Sequence, residues 1–154
     1  MRKNKIVFIL FFVLLTLSSC RSQAFLLDNH ISPDDISQIQ VVLAMGNPEY
    51  GAESKIITDR NEIENIVNAF NEATIGDEVT DDDFHVAFPS RYYFFIGETI
   101  AYQFSFNGND TERIWIDGNL YWVYYANQSP FELYQESSAT QIIVDENLIE
   151  IQQP

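Results

Sequence analysis

RYYFFIGETIAYQFSFNGNDTERIWIDGNLYWVYY, Arg91 to Tyr125, decides the fold. Runs rich in Tyr, Phe, Ile and Trp alternate with short polar breaks that carry glycine beside Asn, Asp or Glu. Aromatic and β-branched residues suit a pleated, half-buried surface, while Gly, Asn and Asp suit the turns between strands. RYYFFI and IAYQFSF therefore read as a hairpin around Gly97-Glu98-Thr99. Asn107-Gly108-Asn109-Asp110 turns the chain into RIWI, and Asp117-Gly118-Asn119 turns that into LYWVYY. Four consecutive antiparallel strands, a meander, are expected.

If both tight loops are three residues long, one face collects Tyr92, Phe94, Ile96, Ile100, Tyr102, Phe104, Ile114, Ile116, Leu120, Trp122 and Tyr124. The opposite face then holds Tyr93, Phe95, Trp115, Tyr121 and Tyr125, with Gln103 and Arg113 among them. A slip of one residue would exchange the faces. An open aromatic face of that size suggests a binding surface for a protein or sugar, unless residues 126–154 or the N-terminal strands cover it.

Upstream, Asp59 begins DRNEIENIVNAFNEA, with Asp59 and Glu62 at capping-box spacing. Ile63, Ile66, Val67 and Phe70 follow the i, i+3, i+4, i+7 pattern of a helix with one apolar stripe. SQIQVVLA, Ser37 to Ala44, alternates as a strand with Ile39, Val41 and Leu43 on one face, and Gly46-Asn47-Pro48 ends it. Lys55–Thr58 is a second short strand. Residues 74–90, polar and acidic, read as a long loop. Phe131–Tyr134 reads as a helical turn, and Gln141–Val144 and Leu148–Ile151 as short strands in an acidic tail. The expected fold class is α+β: a two-layer domain, residues 36–154, with an antiparallel meander sheet packed on one main helix.

The N-terminus is of another kind. Arg2, Lys3 and Lys5 precede twelve apolar residues, IVFILFFVLLTL. Twelve helical residues reach about 18 Å, short of the roughly 30 Å hydrocarbon core. Basic head, short apolar middle and small residues together read as an export signal over residues 1–19. Leu17-Ser18-Ser19-Cys20 resembles the bacterial lipobox, so the first twenty residues are similar to those of bacterial lipoproteins. The resemblance implies diacylglycerol on the Cys20 thiol, cleavage before Cys20, and lipid anchorage to the cell membrane on its extracytoplasmic side. Two acyl chains, at about 0.8 kcal/mol per buried CH₂, hold stably where one is marginal. Residues 20–35 then read as the lipidated cysteine and a tether. Elsewhere, Ile57-Thr58-Asp59, the helix to Phe70, and Asp117-Gly118-Asn119 with its Tyr-rich strand resemble small, functionally uncharacterised lipoproteins of Gram-positive bacteria. That resemblance lends no catalytic residue.

The signal holds three of the eight Lys and Arg and none of the 23 Asp and Glu. The remainder carries five basic against 23 acidic side chains, a formal charge of −18. Nucleic acid is therefore not an expected partner, because phosphate binding needs clustered Lys and Arg. An anionic leaflet repels the domain too, which leaves contact with the membrane to the acyl anchor. Cys20 is the single cysteine, so no intrachain disulfide exists.

GDEVTDDDFH, Gly76 to His85, is the one dense ionisable cluster. Asp77, Asp81, Asp82 and Asp83, with Glu78, offer oxygens to a hard cation such as calcium, though the ligand spacing and central glycine of an EF-hand are missing. His30 and His85 lie far apart, without the spacing of a zinc site. No G-x-S-x-G elbow, S-x-x-K pair or phosphate-binding glycine loop occurs. The sequence therefore points to a non-catalytic domain, with no cofactor, that meets an envelope protein or another envelope component. A calcium-responsive module using residues 77–85 is the alternative.

Overall fold

The computed structural model describes residues 24–25, 30–44, 51–80 and 89–144. The lipobox residues Leu17, Ser18, Ser19 and Cys20, the strand expected at 148–151 and the acidic residues 81–83 lie outside them.

The fold is mixed α+β and mostly sheet. In chain order the strands are β1 (Ala24–Phe25), β2 (Gln38–Ala44), β3 (Ala52–Ile57), β4 (Thr74–Glu78), β5 (Pro89–Ile96), β6 (Thr99–Asn107), β7 (Arg113–Ile116), β8 (Asn119–Tyr124) and β9 (Gln141–Val144). Helix α1 (Arg60–Glu72) follows β3 and helix α2 (Pro130–Glu136) follows β8. The strands form one sheet in the order β1-β4-β8-β7-β6-β5-β2-β3-β9, with antiparallel neighbours throughout.

The meander β5–β8 sits at the centre, and each flank repairs an expectation. Residues 74–78, read as loop, form β4, which pairs with β8: Ile75 lies opposite Val123 and Thr74 opposite Tyr124. TIGDE has no sustained alternation and gains its partner some 45 residues away, so local pattern could not reveal it. Residues 21–35, read as tether, are partly built into the domain. Ala24 and Phe25 pair with Ile75 and Thr74. Pro33–Asp35 form a 3-10 turn, and Ile31 and Ile36 are buried. The helical turn expected at Phe131–Tyr134 is part of a longer helix, Pro130–Glu136, with a full capping box at Ser129 and Glu132.

Helix α1 forms where its local code says. The Asp59 side chain accepts from the backbone N–H of Asn61 and Glu62 at 3.0 and 3.1 Å, satisfying two donors that a helix start leaves free. Its stripe Ile63, Ile66, Val67 and Phe70 is buried with Ile39, Val41, Tyr92, Phe94 and Phe106 from the sheet and Tyr134 from α2. Phe70 is the hub: its ring lies 4.6 to 5.9 Å from the rings of Phe104, Phe94, Tyr92 and Phe106. Replacing it with alanine should cost about 3–5 kcal/mol. A smaller cluster on the other face joins Val42, Ala52 and Tyr93 with Phe95, Ile100 and Val144.

Two local devices set which side chains share a face. Between β7 and β8 the turn is only Asp117-Gly118, both with positive φ (50° and 84°), as a type I′ hairpin requires. Two residues instead of three reverse the parity of β8. Ile114 then lies opposite Tyr121, and Tyr121, Val123 and Tyr125 turn to the main core. Trp122 and Tyr124, expected in the core, point the other way. Between β5 and β6 the turn is again two residues, Gly97-Glu98, but a bulge beside Phe94 and Phe95 restores parity. Tyr92 therefore faces Phe104 as expected, while Ile100 pairs with Phe95 on the second face.

Candidate functional site

The five aromatic residues expected to share one surface divide between two. Tyr93 is 1% exposed, and Phe95 packs beside it in the second-face cluster. Trp115 is half-buried opposite Leu120 on that same face. Tyr121 and Tyr125 pack against the main core instead. The Tyr125 hydroxyl donates to the Thr111 carbonyl at 2.8 Å. Burial, reinforced by the charges of Asp110 and Glu112, pushes its phenol well above the ordinary value against the opposing effect of that hydrogen bond. Asp77 lies in β4; Asp81, Asp82 and Asp83 fall outside the described residues. Among the described residues no three His, Cys, Asp or Glu side chains converge as metal ligands.

What the fold brings together is a different set. Past the end of β8 the chain turns at Ala126–Gln128 into α2, and a groove of about 550 Å³ opens between them. Val123, Tyr125 and Phe131, of the main-core side, line it together with Trp122 and Tyr124, whose rings belong to the opposite sheet face, and with Asp110, Glu112 and Glu132. Tyr124 is 53% exposed, so its ring is presented rather than packed. Its edge lies over Gly76, where a Cβ would come within 2.4 Å of the ring, so the missing side chain at 76 makes room for it.

Arg113 places its guanidinium carbon 5.7 Å from the centroid of the Trp122 ring, a cation–π contact that steadies the indole. The Glu132 carboxylate accepts from the Ser129 N–H at 2.7 Å and from its hydroxyl at 3.1 Å. The Asp110 carboxylate accepts from the Glu112 N–H at 3.2 Å, holding the bend that carries both acids.

Sequence reasoning missed Trp122 and Tyr124 because they were assigned to the core. The available signal was Asp117-Gly118, a pair that favours a two-residue hairpin turn and so the opposite parity for β8. Glu112 and Glu132 carried no signal, since only the return of α2 onto β8 makes them neighbours of the rings. No protein-family model, curated protein or solved structure matches this chain.

Proposed function

We propose that this protein is a lipid-anchored, extracytoplasmic binding module that presents its ligand surface close to the membrane and performs no chemistry on what it binds. The observation that carries the binding reading is the open groove beside β8, lined by Tyr125, Phe131 and three acidic residues, with the Tyr124 ring 53% exposed on the adjoining sheet face. Aromatic rings held at a concave surface with polar groups around them are the usual material of recognition sites. In this reading the domain works as two layers, with α1 the main cover of one sheet face, supported by the burial of its whole apolar stripe against β2, β5 and β6. The anchor rests on Leu17-Ser18-Ser19-Cys20 behind a basic, apolar leader.

Metabolic labelling with an alkyne fatty acid tests the anchor. The wild-type chain should take up label and sediment with membranes, and Cys20→Ser should do neither. Equal labelling of both chains, or none of either, overturns the lipoprotein reading.

A further inference from the structure

The turn at Ala126–Gln128 also borders a second, smaller cavity, of about 270 Å³, whose other wall is helix α1. Four carboxamides line it: Asn65 and Asn68 from α1, Asn127 and Gln128 from the turn. Tyr125, Ala69 and Leu133 add apolar surface, and Glu72 is the one charged side chain among the described residues lining it. We infer that this cavity binds one ring of a neutral glycan, with the hydroxyls held by the carboxamides and a C–H face of the ring laid on the apolar wall. The inference goes beyond the binding reading above: it concerns a different cavity and stands or falls separately from the groove beside β8.

Three observations carry it. First, two of the amides have no task within the fold. Asn65 and Asn68 are exposed in the middle of α1, and their side chains make no hydrogen bond among the described residues. Asparagine suits a helix interior less well than Ala, Glu or Lys, because its side chain competes for backbone groups. Asn71 of the same helix has its reason in the two bonds to Ile31. Asn65 and Asn68, one turn apart on the face toward the cavity, have theirs in what lies outside the chain.

Second, the other two amides are held in one orientation. Asn127 Nδ2 donates to the Glu72 carboxylate at 3.1 Å, and Gln128 Nε2 donates to the Glu136 carboxylate at 3.0 Å. An ionised carboxylate only accepts, so each amide turns its NH₂ that way and leaves its carbonyl oxygen for another donor. A sugar hydroxyl both donates and accepts. The cavity offers both complements: oriented carbonyl oxygens from the turn and whole amides from α1.

Third, charge and size exclude other classes. Among the described residues no Lys or Arg lines the cavity, and the chain beyond residue 19 carries a formal −18, so an anion is repelled. The Glu72 charge is already met by the Asn127 NH₂. About 270 Å³ lies at the low end of ligand sites, room for a single sugar ring rather than a peptide. Tyr125, tied through its hydroxyl to Thr111 at 2.8 Å, gives that ring a rigid wall.

The test is an NMR titration of the full chain, isotope-labelled and held in a polyoxyethylene detergent without sugar head groups, with cellotriose and with tri-N-acetylchitotriose. At least one of the two should shift the side-chain amide signals of Asn65, Asn68 and Gln128 saturably, with little change on adding salt, since no ion pair forms. Asn68→Ala should raise Kd by about fivefold or more. Its melting temperature should stay level or rise, because alanine is the better helix former, so lost binding is not lost fold. Asn61→Ala, exposed on the same helix but outside the cavity, should alter Kd by less than about twofold. Any one of four results overturns the proposal: no saturation by either sugar up to about 10 mM, an unchanged Kd in Asn68→Ala, equal weakening by Asn61→Ala, or equally tight binding of trigalacturonic acid. None of these depends on the fatty-acid labelling, so failure of the anchor and failure of the glycan site are told apart.

Discussion

Lys55 and Tyr134 stand 79 residues apart in sequence, and the Lys55 ammonium lies 4.7 Å from the Tyr134 ring while donating to the Tyr134 carbonyl at 2.8 Å. It also donates to the Ser137 carbonyl at 2.9 Å. Helix α2 has no basic residue in its last turn, so a lysine from β3 supplies the cation that a helix C-terminus favours. Lys55→Met keeps much of the bulk and removes the donors. It should cost about 1–3 kcal/mol, as expected when buried carbonyls lose their partner. Chemical denaturation measures the loss, which should appear with an unchanged m-value.

Asn71 is a clamp on the chain before β2. Its Oδ1 accepts from the Ile31 N–H and its Nδ2 donates to the Ile31 carbonyl, both at 2.9 Å. Asn71→Ala removes both bonds from a buried site and should cost about 2–3 kcal/mol. Hydrogen exchange should show residues 30–36 losing protection before the sheet does.

Tyr92 should respond in the opposite direction. It is fully buried and its hydroxyl has no hydrogen-bond partner among the described residues. Burial, aided by the neighbouring phenols of Tyr125 and Tyr134, pushes its own phenol well above the ordinary range. Tyr92→Phe deletes an unsatisfied polar atom and keeps the ring contacts with Phe70 and Phe106. Stability should rise by about 1 kcal/mol, read as a higher melting temperature. A fall would mean that the hydroxyl has a partner in solution.

Glu62 gives the domain an acid-sensitive joint. Burial raises its carboxyl pKa, but hydrogen bonds from Ser137 and Ser138 and the charge of Lys55 outweigh that and hold it below the usual value. The bonds are short: Ser137 Oγ at 2.6 Å, and Ser138 N and Oγ at 2.8 Å each. A carboxyl whose pKa is lower in the folded state stabilises the fold above its unfolded pKa. That contribution fades as pH falls through the folded value. Glu62→Gln should therefore cost stability at pH 7 and much less in strong acid, below the lowered folded pKa, where the wild type has lost the same charge. Paired melts at the two pH values check the sign.

These four sites also mark where sequence stops being legible. Helix α1 was readable in full because both its signals, the Asp59 cap and the stripe through Phe70, repeat within thirteen residues. The strands β5 to β8 were readable as strands for the same local reason. Their faces were not, since a one-residue difference at Asp117-Gly118 sends Trp122 and Tyr124 outward and Tyr121 inward. Glu62 looked like half of a capping box, yet its carboxylate reaches Ser137 and Ser138 beyond α2. Lys55 and Asn71 offered nothing to read, because their meaning lies with partners 79 and 40 residues away. The groove inherits that limit: its rings come from a face and its acids from a chain reversal.

The two-residue pairing of β1 with β4 has a mechanical consequence. Ala24 stands four residues from Cys20, so a chain held at Cys20 keeps this sheet edge within roughly 14 Å of the bilayer surface. β1, two residues long, is the shortest strand among the described residues, and a pull at Cys20 loads it first. Once it peels, the next restraint among the described residues is the pair of hydrogen bonds between Asn71 and Ile31. The reach then grows to roughly 38 Å. Tension applied at residue 20 should therefore produce an early lengthening of roughly 25 Å before any part of the main sheet opens. The domain would ride on a leash with one spare length, extended under load and rewound when slack.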